Sequence, residues 1–169
     1  VSATKVGAGG TAVLWADITK AESVTTARGS ILTRGGSEGG DGGRVETSGH
    51  TVDTAGIAVN AGADHGTGGL WLIDPADYTI TQAVADGYSA TLNTGTSVTN
   101  MVSASPYNIT LNSNVVISKT QGGDATLTFK ATGNIYLMSG SKIQSSAGKL
   151  NVVLWADSDS TSGSSDYMW

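Results

Sequence analysis

Ala125-Thr126-Leu127-Thr128-Phe129-Lys130-Ala131 alternates without a break, apolar at the odd positions and polar at the even ones. Side chains of an extended strand point to opposite faces in turn, so this stretch reads as a strand buried on one side. Shorter versions of the pattern occur at Ile57/Val59, Tyr78/Ile80, Ile109/Leu111, Val115/Ile117, Ile135/Leu137 and Leu150/Val152/Leu154. Turn formers separate them: Asn93-Thr94-Gly95, Asn112-Ser113-Asn114, Gln121-Gly122-Gly123-Asp124 and Ala147-Gly148-Lys149. No segment of comparable length reads as helical by its apolar spacing. The expectation is an all-β chain.

Composition points the same way. Among 169 residues there are 24 Gly and only 14% charged residues, far from average globular usage. Hydroxyls and amides must cover much of the surface, and strong helix formers are scarce, which argues against a helical bundle. The length suits one domain, residues 1–169, and is short for a multi-element enzyme. A net charge of −5 with nine scattered basic residues argues against a nucleic-acid partner, because phosphate binding by counterion release needs clustered Lys and Arg. No run approaches the roughly 18 apolar residues of a membrane span, so no membrane insertion is expected. The absence of Cys excludes disulfides and thiolate metal sites. Val1 is not preceded by a basic-then-apolar leader, and any signal sequence is expected to be removed or to lie in a larger precursor.

Aligning one inward apolar position per cycle gives Leu14, Val45, Leu72, Val98, Leu127 and Leu154, with steps of 31, 27, 26, 29 and 27 residues. A recurrence too long for a hairpin, holding two or three strands, fits one coil of a β-solenoid. Val13-Leu14-Trp15-Ala16-Asp17 recurs as Val153-Leu154-Trp155-Ala156-Asp157, 140 residues later, and reads as a repeated coil element. About six coils at the strand spacing of about 4.8 Å would stand roughly 30 Å tall. Both end coils would then present unpaired backbone groups. The chain is expected either to belong to a longer array of neighbouring repeats or to stack end to end with copies of itself.

Candidate sites are few. Gly35 to Gly43, with Glu38 and Asp41, lacks the consecutive nonapeptides of a repeat calcium site and the helix and Lys of a phosphate loop, and reads as a turn. Polysaccharide cleavage needs two acids at fixed separation on one face. Asp74 and Asp77, three apart, would point to opposite faces of a strand, and Asp74 before Pro75 reads as a turn former ending one. Asp157 and Asp159 would share a face but sit in the polar tail from Ser158 to Asp166. His50 and His65 lie in Gly- and Thr-rich turns without a second ligand and read as solvent-exposed loop residues. No Gly-x-Ser-x-Gly elbow exists. Asn108-Ile109-Thr110 matches the glycosylation acceptor triplet. Trp15, Trp71 and Trp155 each follow or precede a Leu assigned inward, so alternation sends all three indoles outward. There they are either covered by connecting segments or offer aromatic contacts to sugars or a neighbouring filament.

The ordered series Val13 to Asp17, Ala27 to Ser30, Gly39 to Gly43, Val45 to Gly49, Trp71 to Pro75 and Ile80-Thr81 resembles the passenger repeats of filamentous-haemagglutinin-like exoproteins, secreted by two-partner or autotransporter routes. The likeness covers residues 10 to 82 and is more generic beyond. Gly29-Ser30 departs from the usual double Gly, and the Asn-Pro-Asn motifs of the secretion module are not found. The resemblance implies a right-handed parallel β-helix at the cell surface or in the extracellular matrix of a Gram-negative bacterium. It carries over no catalytic residue, metal or cofactor.

Together these readings give the expectation of a non-catalytic structural segment of a secreted surface adhesin or matrix fibre, with glycans or a host surface as further partners. The rival is a polysaccharide-active or carbohydrate-binding β-helix.

Overall fold

The computed structural model describes residues 1–103 and 107–160. Three faces are visited in turn. The first turn holds β1 (Thr11–Trp15), β2 (Val24–Thr26) and β3 (Gly29–Leu32), and the second β4 (Arg44–Gly49), β5 (Thr51–Asp53) and β6 (Ile57–Asn60). The third holds β7 (Leu70–Pro75), β8 (Tyr78–Ile80) and helix α1 (Gln82–Leu92). The fourth holds β9 (Ser97–Val102), β10 (Ile109–Leu111) and β11 (Val116–Lys119). The fifth holds β12 (Ala125–Ala131), β13 (Ile135–Leu137) and β14 (Lys142–Ser145), and β15 (Leu150–Trp155) opens a sixth. The first face is a six-stranded sheet in the order β1-β4-β7-β9-β12-β15. Every pairing between the described strands is parallel. The expected β-solenoid is therefore the fold, with about five full turns rather than six. Of the polar tail, residues 161–169 lie outside the described part.

Two inward columns run along the first face. One is Ala12, Val45, Trp71, Val98, Leu127 and Val152; the other is Leu14, Thr47, Ile73, Asn100, Phe129 and Leu154. Leu72 is thus not an inward residue: it sits in the outward column with Val13, Glu46, Thr99, Thr128 and Val153, although neighbours leave it only 8% exposed. The expectation that Trp71 faces outward is corrected with it, since Trp71 is 0% exposed. Pairing with β4 sets Trp71 against Val45, and a shift of one residue moves every side chain of a strand to the other face. Inside, the Trp71 indole N–H donates to Thr47 Oγ1 at 3.1 Å, and its ring meets Tyr88 edge-on at 5.6 Å between centroids. Asp74 does not end its strand either, because pairing runs on to Gly49 with Pro75.

The helix is the departure from an all-strand chain. Val84, Ala85, Tyr88, Thr91 and Leu92 form its buried side, at the i, i+1, i+4, i+7, i+8 spacing of a helical stripe. It occupies the third face at the level where β6 and β11 would otherwise have a strand between them. Eleven helical residues span about 16 Å, as does a strand of five, and a helix about 10 Å wide fills the room of two strand spacings. Its side chains also take over the missing strand's hydrogen bonds. Gln82 Oε1 accepts from Val116 N–H at 2.9 Å while its Nε2 donates to Val116 O at 3.1 Å. Ser89 Oγ accepts from Ser118 N–H at 3.0 Å, and Thr91 Oγ1 from Val59 N–H at 3.2 Å.

At the corner leading into the first face, successive backbones come too close for any side chain. A Cβ on Gly42 would stand 1.6 Å from Ala61 O, and one on Gly69 2.0 Å from Gly43 O. Gly9-Gly10, Gly42-Gly43 and Gly68-Gly69 hold the same place before β1, β4 and β7.

Candidate functional site

The residues singled out in the sequence are divided among the outer surface of the six-stranded sheet, the ends of the stack and the turns, with Trp71 in the core. Trp15 points outward in the column with Ser48 and Asp74, and is 72% exposed. Trp155 points outward beside Lys130 and is 51% exposed. The Lys130 ammonium lies 4.4 Å from the centroid of the Trp155 ring, a cation–π contact. These indoles are five strand steps apart, roughly 24 Å. With Trp71 in the core, the three tryptophans do not form one platform.

Among the described residues, Asp41, Asp53, Asp64, Asp74 and Asp77 are hydrogen-bonded to backbone N–H groups or to neighbouring side chains. Asp77 Oδ1 accepts from Asn108 N–H at 2.8 Å, whereas Asp74 accepts from Ser103 Oγ at 3.0 Å. Burial raises the Asp74 carboxyl above the ordinary range, the charge of Glu46 adds to the rise, and the Ser103 hydroxyl opposes it. Glu46 in turn receives Arg44 at 3.2 Å and Ser48 Oγ at 3.0 Å. Asp53 is held below its usual range chiefly by the hydrogen-bonded Arg28 guanidinium, with Ala55 N–H helping. Arg34 grips both oxygens of Asp64, at 2.7 and 2.9 Å. In the glycine-rich turn, Asp41 Oδ1 accepts from Thr67 N–H at 2.7 Å. Glu38 is exposed, and Asp157 follows β15 at φ 50°. Among the described residues there is no group of three or more His, Cys, Asp or Glu placed to hold a metal.

A common chemistry runs through these turns. Asp41, Asp77, Asn93, Asn108 and Asp124 each accept a backbone N–H from the following turn of the solenoid, from Thr67, Asn108, Thr120, Asn134 and Lys149, at 2.7 to 2.8 Å. Asp41 and Asp77, two of the acids weighed as cation-binding or catalytic groups, are thus inter-coil links in the structure. Asn108 of the acceptor triplet is among them and half-buried. His65 is exposed as expected, but His50 is half-buried, its Nδ1 3.0 Å from Ile18 O.

Sequence reasoning missed the buried polar groups. Thr54 Oγ1 and Tyr78 Oη lie 2.6 Å apart, and Asn100 Nδ2 donates to Tyr88 Oη at 2.9 Å. Burial pushes Tyr78 up to about 12 and Tyr88 well above its ordinary value. The helical spacing of residues 84 to 92 was the one signal that could have placed Tyr88 inside.

The ends differ from the middle. Leu14 and Leu154 are only partly buried, whereas Ile73 and Phe129 of the same column are wholly enclosed. Large exposed apolar residues gather on the first turn, as Val13, Trp15, Val24 and Leu32, and on the last, as Leu137, Met138, Val152, Val153 and Trp155. A cavity of about 380 Å³ opens at the C-terminal end, lined from all three faces by Leu137, Met138, Ile143, Val152 and Leu154 among others. Among the described residues no helix is long and apolar enough to cross a membrane. No family model matches the chain, and no curated protein matches it either.

Proposed function

We propose that this chain is a non-catalytic, load-bearing rod segment of a secreted bacterial surface adhesin or extracellular matrix fibre, joined through its ends to neighbouring coils or copies. The observation that carries the reading is the use of the turn acids and amides: they bind the backbone of the next coil. A parallel stack whose polar turn residues are spent on coil-to-coil hydrogen bonds is built for stiffness along its axis. Strand pairing stabilises the fold without any disulfide, and the resemblance of residues 10 to 82 to haemagglutinin-like repeats supports a setting outside the cell.

The direct experiment is immunogold labelling of intact and permeabilised source cells with antibodies against the folded segment. Labelling of intact cells, along surface fibres or matrix, is the expected result. Labelling only after permeabilisation would overturn the assignment. Cleavage of any member of a panel of neutral and acidic glycans, lost on changing Glu46 and Asp74 to their amides, would establish the polysaccharide-active rival instead.

A further inference from the structure

At the corner between the third and first faces, the connections change length along the stack. Residues 33–43 and 61–69 join those faces in the first two turns, whereas the shorter 93–96 and 120–124 join them in the third and fourth. The connection of the second turn therefore stands proud of those that follow it, with Asp64, His65, Gly66 and Thr67 exposed at its crest. A cavity of about 330 Å³ and another of about 240 Å³ flank this crest, and Ala63, Thr94 and Gly123 line both. Adjoining through those residues, the two make one cleft on the flank of the stack, from Arg34 in the first turn to Asp124 in the fourth. Three strand steps span roughly 14 Å, and the volumes are those of ordinary ligand sites.

The cleft is formed by the fold itself. Its crest is tied to the first turn: Thr67 N–H donates to Asp41 Oδ1 at 2.7 Å, Gly42 N–H to Thr67 O at 2.8 Å and Gly35 N–H to Gly62 O at 3.1 Å. Its polar side chains are held in place with hydrogen-bonding capacity to spare. Asn60 Oδ1 accepts from Gly62 N–H at 3.0 Å and Asp124 Oδ1 from Lys149 N–H at 2.8 Å, which leaves Asn60 Nδ2 to donate and Asp124 Oδ2 to accept. Arg34 spends Nη2 alone on Asp64, so the rest of its guanidinium fork remains for a ligand. The glycines divide into two kinds. A Cβ on Gly62, Gly66, Gly68 or Gly122 would stand 2.0 to 2.5 Å from a backbone oxygen, so the fold requires glycine there. Gly123 is different: a Cβ there meets nothing within 4 Å, and its φ is not in the left-handed region. The side chain it lacks would fill the floor where the two cavities meet.

We propose that this cleft binds a short stretch of an uncharged glycan, a recognition site that goes beyond the rod reading and sits on the rod's flank. Sugar hydroxyls donate and accept at once, and the cleft offers both kinds of partner: N–H groups of Arg34 and Asn60, and carboxylate oxygens of Asp64 and Asp124. An anionic ligand would meet two carboxylates and a single guanidinium that is already paired. A metal ion needs a convergent ligand set, and the described residues gather no group of three or more His, Cys, Asp or Glu. No large apolar or aromatic side chain lines either cavity, so an apolar ligand gains no burial there, and a sugar binds through hydrogen bonds without ring stacking. Neither Glu46 nor Asp74 lines the cleft, which separates recognition here from the cleavage considered above.

Amide chemical-shift mapping on the isotope-labelled chain tests the proposal. The probes are neutral linear hexasaccharides of glucose, mannose, xylose and N-acetylglucosamine, with polygalacturonate and heparin as acidic counterparts. At least one neutral hexasaccharide should give saturable shifts at the amides of residues 60–68, 93–95 and 121–124. Gly123→Leu, which fills the floor, should weaken that binding by about tenfold or more, the loss expected when a preformed site is blocked, at an unchanged urea midpoint. Arg34→Met, which removes the donors, should weaken it as well and decides the matter if Gly123→Leu loses stability. No saturable shift from any neutral probe up to tens of millimolar overturns the inference. Binding unchanged in both variants places the sugar elsewhere and overturns it too, and tighter binding of the acidic probes at the same amides overturns the uncharged class. Each of these failures leaves the rod reading standing, because that reading fails on cell labelling instead.

Discussion

Lys119 shows at the scale of one residue how this interior handles charge. It has no exposed surface, and its ammonium donates to Gln121 O at 2.8 Å, Gly122 O at 3.0 Å and, on the next turn, Ala147 O at 2.6 Å. A buried cation without a hydrogen-bonded partner is costly, and here three turn carbonyls provide the compensation. Lys119→Met keeps the volume and strands those carbonyls, so stability should fall by about 2 kcal/mol, read as a lower urea midpoint. An unchanged midpoint would show that water replaces the ammonium. The tyrosines give a pH dependence whose sign follows from burial. Tyr78, pushed up to about 12, and Tyr88, also raised, stay protonated in the fold at a pH where the unfolded chain, with phenols near 10, has lost those protons. The native state then binds more protons, so stability is complete below about pH 10 and falls as pH rises from there toward Tyr78's folded value. Urea midpoints should decline across that window in the parent chain. In Tyr78→Phe the decline should be shallower, from a lower starting midpoint because the bond with Thr54 is lost.

At the scale of elements, α1 tests whether a helix can stand in for a strand. Its polar side chains serve two strand edges, and among them Thr91 is wholly buried where it accepts from Val59 N–H. Thr91→Val preserves shape and removes the acceptor, which should cost about 1–3 kcal/mol, the usual penalty for an orphaned buried donor. Thermal unfolding with the helical circular-dichroism signal followed separately checks it; loss of the helix signal well before the β signal would show that α1 is a separable insert. The helix was hard to read in the sequence for the same reason that it works. Asp86, Gly87 and Ser89 are turn-like or poor helix residues by composition, yet Ser89 pairs with Ser118, as Gln82 does with Val116. Gly87 lets the backbone sit close to β6, where a Cβ would be 2.8 Å from Ile57 O. Strands with strict alternation, β12 above all, were legible because only one face of each is buried. The facing of Trp71 was not, since Trp71-Leu72-Ile73 is apolar throughout and contains no alternation. Only pairing with Val45 and Val98 in neighbouring turns decides which of the three points inward. The candidate site was legible in part for a related reason: exposure of Trp15 and Trp155 follows from local alternation, but the duty of each acid depends on which backbone N–H the next coil places beside it.

For the whole molecule, what matters is that each turn touches only the turns above and below it, so stability is close to a sum of neighbour interfaces along one axis. The middle turns have two such interfaces. Among the described residues the first turn and β15 have one, and their inward residues Leu14 and Leu154 are only partly buried. Opening should therefore begin at the ends and require progressively more free energy toward the third and fourth turns, in the manner of cooperative sub-global units. Amide hydrogen exchange on dilute protein should find the slowest sites in β7, β9 and β10, whose interior side chains include Ile73, Val98, Ile109 and Leu111 at essentially zero exposure. The fastest strand sites should be in β1, β2 and β15. The third turn carries a second, opposing influence, because β5 and β8 are not paired as strands and α1 interrupts the third face. If those breaks outweigh the number of neighbours, the middle would exchange faster than its flanks and the stack would behave as two blocks, one on each side of α1. The continuous first face argues for a single block: β7 pairs with β4 over six residues and with β9 over four, spanning the level of both breaks. The expected profile is thus one maximum centred on β7 and β9, and two maxima separated by a dip at the third turn would refute it.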